Sequence, residues 1–181
     1  MTDVMADSLP AVRRPAAELA PERPGEPAYD LIELLFFAYR DFVRDADKAL
    51  AAYGFGRAHH RVLHFVDRNP GLRVTELLDI LKITKQSLGR VLRELIDQGF
   101  VVQREGASDR RQRLLFVTEK GDALALKLAH LQTERIARAL GGCSDDVGAA
   151  ARRFLFAMVD PDERDAVARL GRPGRPRGGR A

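Results

Sequence analysis

From Thr84 to Gln98 the apolar residues Leu88, Val91, Leu92, Leu95 and Ile96 recur at steps of three and four. At 100° per residue they form one stripe, which predicts an amphipathic helix with Gln86, Arg90 and Arg93 on its opposite side. Thr84 suits the N-cap of this helix, and Gly99 suits the position just past its end. Upstream, Val74, Leu77, Leu78 and Leu81 predict a shorter amphipathic helix, joined to the longer one through Lys82 and Ile83. Downstream the period changes. Phe100, Val101 and Val102 form one β-rich run and Leu114, Leu115, Phe116 and Val117 form another, with the turn-prone Gly106-Ala107-Ser108-Asp109 between them.

Residues 73–121 therefore run helix, tight turn, helix, strand, charged loop, strand, the order of a helix-turn-helix with a β-hairpin wing. Longer helical patterns flank it. Ala28–Ala52 repeats Leu31, Leu34, Leu35, Ala38, Phe42, Ala46 and Leu50, and Phe36, Phe37 and Tyr39 widen the stripe beyond one buried face. Asp122–Leu140 carries Leu124, Leu128, Leu131 and Ile136, while Val147–Val159 carries Phe154, Leu155 and Met158. Internal packing of one domain accounts for part of this surface, but two-sided apolar helices call for a second partner. The expected class is mainly α with a small β-wing: a winged helix-turn-helix flanked by long dimerisation helices. Its domain is bounded at 29–170, with dimerisation helices at 29–55 and 122–170 and the DNA-binding region at 56–121. Residues 1–28 hold five Pro, and residues 171–181 are Gly, Pro and Arg with a final Ala, so both ends read as disordered tails.

The side chains offered by the second helix carry recognisable chemistry. Arg grips guanine O6 and N7 with two parallel bonds, and Gln does the same at adenine N6 and N7. Gln86 and Arg90, with Lys85, Ser87 and Arg93 beside them, thus suit a major-groove reader. Gly89 adds no side chain among them, which lets a groove floor approach closely. In isolation a solvated helix face would look the same; the neighbouring hairpin shifts the balance. Arg104, Arg110, Arg111 and Arg113 crowd it, giving the chain a way to neutralise phosphates or enter a minor groove. Residues 82–113 hold eight Lys or Arg against four acids, whereas the whole chain is only +4. Positive charge is concentrated in the candidate interface, which favours specific docking over wholesale coating of nucleic acid.

Asp109-Arg110-Arg111, followed after a strand by Thr118-Glu119-Lys120-Gly121, resembles the wing signature of the MarR family of bacterial regulators. The resemblance runs over about residues 30–160 in the family's order of elements. It implies a homodimer whose end helices intertwine across a two-fold axis, acting on a pseudo-palindromic operator. It further implies that Arg111 enters the minor groove, that Asp109 holds it in place, and that Gln86, Ser87 and Arg90 contact DNA. Gly89 departs from the pattern, since many members carry Thr or Ser there. The His60-Arg61-Val62-Leu63 and Leu78–Ser87 stretches are similar to the PetP-like branch. The resemblance also places small-molecule effectors near the junction of dimerising helices and DNA-binding domain, where Phe36, Phe37, Tyr39 and Phe65 would wall a pocket beside His60 and His64.

Other classes fit less well. With four His, one Cys, no phosphate-cradling glycine motif and no nucleophile elbow, no active site is visible. His60 and His64 stand at i and i+4 and so share a helix face, but no third or fourth ligand completes a metal set; no metal or cofactor is expected. Cys143 reads as a passive small residue, because Asp145 and Asp146 oppose a thiolate there. No apolar run reaches the roughly 20 residues of a membrane span, and the N-terminus lacks a signal-peptide pattern, so a cytoplasmic location is expected. The expected partners are double-stranded DNA, a second copy of the chain and a small-molecule effector. The competing readings are an architectural DNA-binding protein of low specificity and a ligand- or metal-sensing module.

Overall fold

The computed structural model describes residues 27–106, 109, 111–141 and 146–170. The expected tails, apart from residues 27 and 28, lie outside the described residues, as do Arg110 and Cys143. In chain order the elements are helix α1 (Tyr29–Ala51), helix α2 (Arg57–Arg68), strand β1 (Leu72–Arg73), helix α3 (Val74–Leu81), helix α4 (Lys85–Asp97), strands β2 (Val101–Glu105) and β3 (Arg113–Val117), and helix α5 (Glu119–Leu140). Helix α6 (Val147–Ala157), a 3-10 turn (Pro161–Glu163) and helix α7 (Arg164–Leu170) complete the chain. The mainly α class with a small β-wing is what the patterning predicts. The chain divides into two compact units, with the boundary between Arg40 and Asp41.

In the first unit, the part of α1 before Asp41 presents Leu34, Phe36, Phe37 and Tyr39 to solvent, with Phe36 at 70% and Tyr39 at 57% exposure. The second unit holds the core. Leu50, Val62, Leu63, Val66, Leu77, Leu95, Phe100, Leu115 and Leu128 are fully buried, drawn from α1, α2, α3, α4, the wing base and α5. Each such side chain contributes roughly 1.5–3 kcal/mol on removal from water, so this one cluster holds α3 and α4 against α2.

Local signals set the ends of α4. The Thr84 hydroxyl accepts the Ser87 backbone N–H at 3.1 Å, satisfying one of the orphan donors of the first turn. Gly99, at φ +74°, ends the helix in the left-handed region that a Cβ disfavours. Lys82 closes α3 in the same region at φ 51°, an unusual conformation for a non-glycine residue. It turns the chain sharply into α4.

Strand order in the sheet is β1-β3-β2, all antiparallel, with Leu72 opposite Leu115 and Gln103 opposite Leu115 on the other side. β1 escapes the sequence pattern because two residues have no period; only its pairing with β3 makes it a strand. Helix α5 begins three residues earlier than the apolar pattern predicts. Thr118 caps it, its hydroxyl accepting the Gly121 N–H at 3.0 Å and donating to the Gly99 carbonyl at 2.7 Å. A Cβ at Gly121 would collide with the Phe100 carbonyl oxygen, so this glycine lets α5 start directly against the wing base. The 3-10 turn and α7 are also additions, too short for a periodic signal.

Candidate nucleic-acid interface

Helix α4 has one committed side and one open side. Leu88, Val91, Leu92 and Leu95 are buried, and Lys85, Gln86, Ser87, Gly89, Arg90 and Arg93 are exposed. Gln86, Ser87, Gly89, Arg90 and Arg93 line one open notch. Ser87 is partly engaged: its oxygen accepts the Thr84 hydroxyl at 2.9 Å, which leaves the Ser87 O–H able to donate outward. Arg90 and Arg93 keep all their guanidinium donors for a partner, since no described residue bonds or pairs with them.

The wing assigns its arginines different jobs. Arg113 pairs with Glu105 across the β2–β3 ladder at 2.9 Å, both half-exposed, and the Arg104 guanidinium lies 5.0 Å from the centre of the Phe116 ring. Arg111 sits at the tip. There the Asp109 carboxylate accepts the Arg111 backbone N–H at 2.9 Å, and the Asp109 carbonyl accepts the Gln112 N–H at 3.0 Å. Asp109 thus orders the backbone of the tip, rather than gripping the Arg111 guanidinium.

Support from α2 is what the sequence pattern does not reveal. His59 Nδ1 accepts the Gly56 backbone N–H at 3.1 Å. A nitrogen that accepts carries no proton, so Nε2 holds it and donates to the Glu94 carboxylate of α4 at 2.6 Å. The ring stacks on Phe55 at 4.5 Å and 12°. Two residues later, the Arg61 guanidinium donates to the Leu81 carbonyl at 3.1 Å, one of the acceptors left over at the C-terminal end of α3. Helix α2 therefore clamps both helices of the turn by polar bonds as well as by packing. His59 and Glu94 are 35 positions apart, and nothing local links them.

Comparison with known proteins agrees with this geometry. The MarR family profile matches residues 53–112, from the end of α1 to the wing tip. The HTH-type transcriptional regulator PetP of Rhodobacter capsulatus is 48% identical over 130 residues, covering 72% of this chain and 78% of that protein. The chain belongs to the MarR family of transcription regulators. Within that family its likeness to the PetP protein supports the PetP-like branch. Among solved structures, the transcriptional regulator SlyA superposes with a TM-score of 0.62 at 21% identity, covering 77% of this chain and 95% of that one. CouR from Rhodococcus jostii, solved bound to p-coumaroyl-CoA, gives 0.61 at 23% identity, with 73% and 93% covered. At these identities the two likenesses speak for the fold.

The effector candidates of this MarR-family chain fall in different settings. Phe36 and Tyr39 are exposed on α1, in the first unit. On α2, in the second, His60 is 8% exposed and His64 is exposed. Burial first, then the neighbouring His64, lowers the His60 pKa, with Asp47 opposing. For His64 partial desolvation leads in the same direction, then Arg68, with Asp67 opposing. His64 also meets Phe65 edge-on at 5.1 Å. Asp47 bonds Arg57 through Oδ2 at 2.9 Å, while its buried Oδ1 has no hydrogen-bond partner. Among the described residues no three His, Cys, Asp or Glu gather as a metal set, and no helix is long and apolar enough to cross a membrane.

Proposed function

We propose that the chain binds a pseudo-palindromic DNA operator as a homodimer, inserting α4 into the major groove and the wing into the flanking minor groove. The observation that carries this is the split character of α4. Its apolar side and Glu94 are held by the rest of the unit, while Gln86, Arg90 and Arg93 extend uncommitted from the other side. Lys85, Ser87, Arg110, Arg111 and Arg113 would supply phosphate and minor-groove contacts. A dimer is supported by exposed apolar residues on α6, and two reading helices about 34 Å apart would meet successive half-sites. The family likeness to CouR, which binds a CoA ester, favours an organic ligand, and His60 and His64 are the residues to substitute when screening for one.

The test compares a duplex selected by the wild-type protein with a random duplex across salt concentrations. Arg90→Ala should cost about 1–3 kcal/mol on the selected duplex and relax preference at one base pair per half-site. Arg111→Ala should reduce the salt slope by about one unit, with the largest loss at A·T-rich flanks. Equal affinity of the wild-type protein for both duplexes would instead establish an architectural role.

A further inference from the structure

Nothing among the described residues explains Gly89. It lies in the middle of α4, where glycine weakens a helix relative to alanine. Its φ is not positive, and a Cβ placed on it would meet no atom within 4 Å. Neither backbone conformation nor internal packing therefore requires glycine, in contrast to Gly99 and Gly121. The residue is exposed; Gln86 three positions before it and Arg93 four after it share its side, and Arg90, the next residue, lines the same notch. The result is a patch of bare backbone with polar walls.

The chemistry of that patch selects its occupant. Backbone N–H and C=O groups in a helix interior are spent on the intrahelical ladder, so only C–H groups face outward at Gly89. What packs there must be apolar. Among base edges in the major groove the apolar group that protrudes furthest is the 5-methyl of thymine, where cytosine has only a C–H. We propose that Gly89 is a specificity-determining residue that admits a thymine 5-methyl into van der Waals contact with the α4 backbone. One thymine per half-site is then read by the absence of a side chain, between the bases contacted by Gln86 and Arg90. The proposal rests on the reading of α4 as the DNA-contacting helix.

The experiment is a methyl exchange between protein and DNA. A duplex selected by the wild-type protein from a random pool is remade with each thymine in turn replaced by deoxyuridine, which pairs identically and lacks only the methyl. Wild-type protein should lose affinity at one thymine per half-site. Gly89→Ala should melt at a higher temperature than wild type, yet bind the thymine duplex about tenfold more weakly. On the duplex with deoxyuridine at that position it should recover to near wild-type affinity, because the methyl removed from DNA makes room for the one added to protein. Wild-type affinity of Gly89→Ala for the thymine duplex overturns the proposal, as does a loss that no deoxyuridine relieves. Arg90→Ala, measured in parallel, separates the two levels. If it keeps the wild-type ratio of selected to random duplex, the reading of α4 fails; if it loses that ratio while Gly89→Ala matches wild type, only the thymine contact fails.

Discussion

Between Arg57 and Val117, Val62, Leu63, Leu77, Leu95, Phe100 and Leu115 are fully buried, whereas α6 and α7 bury no residue at all. Leu155 on α6 is 57% exposed, and Phe154, Phe156 and Met158 are exposed beside it. Both regions have similar apolar side chains, but only the first finds partners for them within one chain. This winged-helix head is therefore complete as a folding problem, and the open side of its α4 is polar and cationic. The C-terminal helices leave apolar surface uncovered, the mark of an interaction site. What distinguishes a binding surface from a core is thus not the residues in the pattern but whether the chain itself supplies the other half.

The sharpest way to break this contrast is to make the same kind of change on each side. Leu95→Ala in the head should destabilise the protein by about 2–5 kcal/mol, since it opens a cavity where α4 meets the core. Chemical denaturation reads this directly. A loss below about 1 kcal/mol would mean that the head is far more plastic than its burial implies.

Leu155→Glu, on α6, should do the reverse. It should leave the fold of the head intact by circular dichroism but shift sedimentation from dimer to monomer, and it should weaken operator binding through loss of the second reading helix. A variant that remains dimeric with full operator affinity would remove α6 from the assembly surface.

The legibility of the two regions in the sequence follows the same division. Helix α4 could be placed almost to the residue because its stripe, its Thr84 cap and Gly99 are all local. The wing was visible from two β-rich runs around a turn. By contrast β1 exists only through its pairing with Leu114 and Leu115 of β3, and the His59–Glu94 bond joins α2 to α4 across 35 positions. The resemblance implies that Asp109 holds Arg111 in place; the bond its carboxylate makes is to the Arg111 backbone N–H, a contact set by the conformation of the tip rather than by any periodicity. For the exposed residues of α1 and α6 the periodicity shows that they are apolar and is silent about what covers them.

A smaller effect tests whether the polar clamp belongs to recognition. His59→Ala leaves the Gly56 N–H and the Glu94 carboxylate without their partner, which should cost about 1–3 kcal/mol of stability and, by loosening α4 against α2, reduce the ratio of operator to random-duplex affinity. His59→Gln should restore much of both, because its amide can accept from Gly56 and donate to Glu94. Stability lost with an unchanged affinity ratio would make the bond structural only.

The smallest predicted effect is a pH dependence confined to the head. Burial holds His60 below its ordinary value of 6.5, with the charge of His64 acting the same way and Asp47 against it. The folded state thus favours neutral His60, while the unfolded chain takes up a proton as pH falls below 6.5. The contribution of neutral His60 is therefore fully present above pH 6.5 and is lost as pH falls through the lower, folded value. His64 shares the direction but, being exposed, should contribute less. Asp45 and Glu76, both lowered chiefly by hydrogen bonds from Arg135 and Arg73, lose their pairing only further down, in the carboxylate range. Denaturation midpoints between about pH 7.5 and about pH 5.5 isolate the histidine window. Wild type should lose stability across it, and His60→Gln should flatten the slope, whereas Leu155→Glu should leave the slope of the head unchanged. If His60→Gln keeps the full slope, the proton enters at a group other than His60.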